Sequence, residues 1–127
     1  MKRDMDLVRK ILFKLEENPH GFNNKPMEIE GYTREEIGYH AALMHAAGLI
    51  EGIKFTHLQS ESPDYLPRCL TWTGHDFLDA CRDEGRWTKA KEIFGQLDGV
   101  TFDVVKEVLI RLMMQSVTRI LPDVPVH

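Results

Sequence analysis

Residues Thr33 to Gly52, "TREEIGYHAALMHAAGLIEG", constrain the fold of this chain most strongly. Thr33, with Glu36 three residues on, makes a capping box in which each side chain satisfies a backbone N–H of the helix start. Glu35 and Glu36 also stand where the positive end of the helix dipole favours acids. Ile37, Ala41 and Met44, with Tyr39 and Leu43, supply apolar positions at helical spacing. Gly48 ends the helix, because glycine takes up the left-handed conformation of a helix terminus without a Cβ penalty. From Leu49 to His57 the period drops to two: Ile53, Phe55 and His57 share one face, Lys54 and Thr56 the other. A helix must therefore pass into a strand across one glycine.

The flanking segments give that join a setting. Leu66, Arg68, Leu70 and Trp72 alternate with Pro67, Cys69 and Thr71, which predicts a second strand and an antiparallel hairpin with a polar tip at "QSESPD". Upstream, Asp4 or Asp6 caps a helix running to about Glu17, with Leu7, Ile11 and Leu15 on one stripe beside Val8 and Leu12. Asn18-Pro19 stops it, since proline disfavours helix in the residue before it. "HGFNNKPMEIEG" is mostly loop, with a short strand expected at Met27–Ile29. Downstream, Thr73 is expected to cap a helix that buries Phe77, Leu78 and Cys81 and closes at Gly85. A further helix, "RWTKAKEIFGQL", aligns Trp87, Ala90, Phe94 and Leu97 and breaks at Asp98-Gly99. Thr101 or Asp103 opens the last helix, which runs to about Leu121 ahead of the proline-punctuated tail.

The chain's 127 residues suit one domain. A formal net charge of -4 means that any nucleic-acid contact must come from a local basic patch. Cys69 and Cys81 are too few to staple the domain and have no zinc-site spacing, so they read as reduced thiols. The charged start "MKRDMDLVRK" lacks the apolar run of a signal peptide, and no stretch approaches the roughly 20 apolar residues of a membrane span. The expected location is the cytoplasm, without a membrane partner.

"YHAALMHAAGLIEG" resembles the end of the recognition helix and the start of the wing in bacterial winged-helix regulators. Three longer stretches, in order, carry a closer likeness: "MKRDMDLVRKILFKLEENP", "GYTREEIGYHAALMHAAGLIEG" and "LTWTGHDFLDACRDEGRWTKAK". On these the chain is identified as a member of domain-of-unknown-function family twenty-five-thirteen (DUF2513), small bacterial and phage proteins resembling the winged-helix class. Thr73 departs from the family pattern, where glutamate is commoner before Gly74-His75. The resemblance implies the fold and a phage or prophage connection, and leaves the activity open.

The fold class expected is α+β: a winged-helix-like domain (helix, short strand, helix, two-stranded wing, helix) with two additional C-terminal helices. One domain spans 1–127, with the winged-helix core at 1–85, a helical extension at 86–121 and a tail at 122–127. A winged helix ordinarily sets its recognition helix in the major groove of DNA. The candidate contacts to double-stranded DNA are then Thr33, Arg34, Tyr39 and His40 on that helix and Lys54 and Arg68 on the wing. Arg34 has the chemistry to read guanine or grip phosphate. Glu35 and Glu36 oppose phosphate, and the wing dilutes its cations with Glu61 and Asp64. The leading reading is a DNA-binding regulator of phage or prophage origin. The rival is a winged helix that binds a host protein as an adaptor or inhibitor.

Other polar residues have plainer readings. His40 and His45 are five apart, about 140° around a helix, which does not suit a shared metal. His40 is expected to bridge to the hairpin instead. His75 and Asp79 share a helical face but lack a third catalytic group, so Trp72 is expected to pack and His75 to touch the hairpin. Arg82, Arg86, Lys89 and Lys91 cluster around Trp87, diluted by Asp83, Glu84 and Glu92. They would form a phosphate-facing patch if folding joined them to Lys2, Arg3, Arg9 and Lys10. No phosphate loop, nucleophile triad or metal motif appears, so no enzyme activity, metal or cofactor is expected. The last helix is apolar on more than one side, which fits core burial or a partner. A homodimer is expected through Val105, Leu109, Met113, Val117 and Ile120.

Overall fold

The computed structural model describes residues 1–23, 25–55 and 64–121. Among these residues, five helices and one antiparallel hairpin follow in order: α1 (Met5–Glu16), α2 (Arg34–Ala46), β1 (Ile50–Phe55), β2 (Asp64–Leu70), α3 (Trp72–Cys81), α4 (Glu84–Gly95) and α5 (Phe102–Ile120). This is an α+β, winged-helix-like arrangement. The expected wing tip, with His57, Gln59, Ser60 and Glu61, lies outside the described residues, as does the tail at 122–127. Two compact units divide the chain, Met1–Leu78 and Asp79–His127.

The first unit is built around α1 and α2. Asp4 caps α1, its Oδ1 accepting the N–H groups of Asp6 and Leu7 at 2.9 and 3.2 Å. Leu7, Val8, Ile11, Leu12 and Leu15 bury the stripe read from their spacing. Ile37, Ala41 and Met44 of α2 are buried as well. Each buried leucine or isoleucine contributes roughly 1.5–3 kcal/mol by leaving water. Thr33 and Glu36 form the full capping box, worth about 1 kcal/mol. Gly48 ends α2 with φ +80°, and Leu49 and Ile50 enter the core immediately after it.

The hairpin departs from simple alternation. Glu51 pairs with Cys69, but Gly52 pairs with Pro67, so Arg68 is the extra residue of a bulge. Proline lacks the N–H a ladder needs, and bulges are among the few places a strand tolerates it. The bulge resets the faces of β2: Tyr65 and Pro67 are buried, while Ile53, opposite Leu66, is 44% exposed. Gly52 is required here, because a Cβ would run into the Leu66 carbonyl oxygen and the Tyr65 ring.

The short strand expected at Met27–Ile29 does not form. The segment is irregular, and only Ile29 is buried. The loop meets the hairpin earlier, at Asn23, whose N–H donates to the Arg68 carbonyl at 2.7 Å and whose side-chain amide donates to the Pro67 carbonyl at 2.9 Å. Pro26, with no N–H, removes a ladder donor just before Met27. The cap of α3 also differs. Thr71, not Thr73, accepts the Gly74 N–H at 3.0 Å and donates to the Gly48 carbonyl. The helix therefore starts at Trp72, which is turned outward and 84% exposed rather than packed.

In the second unit Asp83 caps α4, accepting the Arg86 N–H at 2.7 Å. Gly85 thus lies inside α4 and does not close α3. Thr101 caps α5. Trp87 is 2% exposed and meets Phe94 edge-on at 6.3 Å between ring centres. No helix among the described residues is long and apolar enough to cross a membrane.

Candidate interaction surface

The six residues expected to touch DNA do not form one surface. His40 is 1% exposed. Its Nδ1 donates to the Glu36 carbonyl at 2.8 Å, and its Nε2 accepts the Asp4 N–H at 2.8 Å. An acceptor nitrogen carries no proton, so this network places the proton on Nδ1. His40 is therefore a buried tie between α2 and the start of α1. That corrects two expectations: it is not available to a groove of DNA, and its bridge goes to α1 rather than to the hairpin.

Arg68 is also engaged. Its guanidinium lies 4.3 Å from the centre of the Phe22 ring, and its Nε is buried without a hydrogen-bond partner. Thr33 is spent on the capping box. Tyr39 is half-buried, with its ring edge-on to His40. Arg34 and Lys54 remain as exposed cations.

The outward side of α2 follows from its buried side. At 100° per residue, Ile37, His40, Ala41 and Met44 point inward, which leaves Glu35, Tyr39, Ala42 and Ala46 around the opposite direction, with Leu43 beside them. Glu35 and Ala46 are exposed; Tyr39, Ala42 and Leu43 are half-buried. This strip contains an acid, small and apolar residues, and no cation. Arg34 stands on its flank, near the buried edge.

Asp4 and Tyr32 hold the approach to this helix. Tyr32 donates its hydroxyl to Asp4 Oδ2 at 3.2 Å, and Lys10 Nζ lies 5.2 Å from the Tyr32 ring centre. Burial, followed by the negative charge of Asp4, raises the pKa of the Tyr32 phenol. The phenol of Tyr65 is pushed up to about 12, by burial first and then by Glu51 and Cys69. Its hydroxyl has no hydrogen-bond partner.

Sequence reasoning missed the involvement of Asp4 beyond capping, and it missed Phe22 and Asn23. A loop aromatic beside an asparagine carries no periodic signal, so these contacts emerge only once β2 is in place. His75 and Asp76 are exposed. No group of three metal-ligating side chains occurs among the described residues.

The homodimer set also separates. Val105 and Leu109 are 1% and 0% exposed within the single chain, so they belong to its interior and not to an interface. Met113 and Val117 are half-buried, and Ile120 is 76% exposed.

A protein from Haemophilus influenzae (strain ATCC 51907 / DSM 11121 / KW20 / Rd), described as uncharacterized, is 35% identical over 117 residues, covering 91% of this chain and 98% of the relative. No solved structure matches the chain. A family model described as "Hypothetical protein (DUF2513)" matches residues 2–101, ending at the N-cap of α5. With most of its length covered by that model and by its relative, the chain belongs to the DUF2513 family.

Proposed function

We propose that this protein is a winged-helix interaction module that binds a protein partner through the outward face of α2, without catalysis. The observation that carries the reading is the composition of that face: Glu35, Tyr39, Ala42 and Ala46, with no cation. A helix inserted in the major groove lies against a backbone with about one negative charge per 1.7 Å. An acid in its first turn and alanines in place of hydrogen-bonding side chains suit neither phosphate nor base edges. The same residues suit a partner with an apolar centre, and the neighbouring Glu36 favours basic groups at its rim. The net charge of -4 points the same way.

Arg34 and Lys54 are the observation that favours the DNA-binding regulator as the second reading, since both are exposed. One paired experiment separates the two. A photo-crosslinking amino acid at position 46 is expected to capture a protein in the cells that make this chain, with Glu35→Lys abolishing the adduct. Duplex DNA is expected to show no salt-sensitive binding at low ionic strength. Binding that is steep in salt and lost in Arg34→Ala/Lys54→Ala would transfer the surface to DNA.

A further inference from the structure

The second unit contains a groove of about 1120 Å³ between α4 and α5. That exceeds the roughly 300–1,000 Å³ of small-molecule sites. Four cations line it: Arg86 and Lys89 from α4, Arg111 and Arg119 from α5. Two acids, Asp83 and Glu107, share the lining. Arg111 is paired with Glu107 at 2.9 Å. The other three cations meet no carboxylate among the described residues. Arg86 donates to the Asp79 and Ala80 carbonyls, Arg119 donates to Ser116 Oγ at 3.2 Å, and Lys89 is exposed. Ile110, Leu112 and Met114 supply apolar lining beside these charges, and Ile110 is 52% exposed.

We propose that this groove docks an acidic amphipathic helix of a partner protein. Charge complementarity selects the sign. Arg111, Gln115 and Arg119 stand four residues apart on α5, so they form one row about 12 Å long at 1.5 Å per residue. A helix bearing Asp or Glu at the same spacing presents a matching row, and its apolar stripe meets Ile110 and Met114. The site between two helices also suits a third, since packed helices lie about 8–10 Å apart. A nucleic-acid strand fits less well, because the lining holds no aromatic ring for base stacking and its apolar residues offer nothing to phosphate. This proposal does not rest on the reading of the α2 face.

The test is selection of a displayed library of random 16-residue peptides on the intact protein, followed by calorimetry with the enriched peptides. The expected winners carry acidic residues at i and i+4 beside apolar ones. Their affinity falls at least tenfold on Lys89→Glu/Arg119→Glu and is unchanged on Lys54→Glu. Circular dichroism shows that the variants fold, as both groove positions are exposed. The proposal is overturned if no peptide is enriched, if the winners lack acidic residues, or if they bind the double variant equally well. A 12-nucleotide single strand that binds with the same sensitivity would also overturn it, by making the groove a phosphate site.

Discussion

His40 Nε2 accepts the backbone N–H of Asp4 at 2.8 Å across 36 residues of sequence. The bond fastens the first residue of the α1 cap to the middle of α2, and Asp4 in turn holds Tyr32. His40→Ala leaves the Asp4 N–H without a partner and opens a cavity, for an expected loss of about 2–4 kcal/mol. Urea denaturation reads this directly. A loss below about 1 kcal/mol would show that the contact is replaceable by water.

Tyr65 makes the opposite case. Its buried hydroxyl lacks a partner, so Tyr65→Phe should stabilise the protein by about 1 kcal/mol, by removing an unsatisfied polar group. The pH dependence follows from the phenol's rise to about 12. The folded state keeps its proton between the unfolded value near 10 and 12, so it binds more protons there than the unfolded chain. The stability tied to this group is complete below pH 10 and is lost as pH rises through 12. The Phe variant should lack that alkaline loss; an identical alkaline profile in both proteins would assign it to another group.

Two glycines should respond in opposite directions. Gly52→Ala sets a methyl against the Leu66 carbonyl and the Tyr65 ring, at an expected cost of about 1–3 kcal/mol. Gly95, the last residue of α4, has open space where its Cβ would go. Gly95→Ala should gain up to about 1 kcal/mol from helix propensity. Thermal melts of the two variants give the comparison, and equal shifts would contradict it.

Val105 and Leu109 are used inside the chain, so the apolar surface left on α5 has lost the centre of the expected dimer interface. Analytical ultracentrifugation at micromolar concentration is expected to give a monomer. A dimer that Ile120→Glu dissociates would restore the interface.

The helices were legible because their signals are local. The Thr33–Glu36 box, the α1 stripe and the Gly48 stop each depend on residues within a turn or two. The α3 cap was misread by two residues because Thr71 and Thr73 have the same chemistry, and only Gly48's carbonyl, met in the folded chain, selects Thr71. The outward strip of α2 was equally open to reading at 100° per residue. Its signal is weak beside Arg34, because a charge at a helix start is a sharper local feature than the two alanines of the strip, Ala42 and Ala46. The fate of His40 and Arg68 was not readable, since each is settled by a residue from a distant segment, Asp4 or Phe22.

The two tryptophans stand in opposite environments, Trp72 at 84% exposure and Trp87 at 2%, one in each compact unit. Indole emission shifts to the red in water, so the chain carries two built-in optical channels. Unfolding of the helical unit should appear almost wholly in Trp87. Quenching by iodide should act on Trp72 alone, and any partner that covers the start of α3 would shield it. A Trp72→Phe and a Trp87→Phe variant would thus let one fluorimeter follow folding and docking separately, with no label attached.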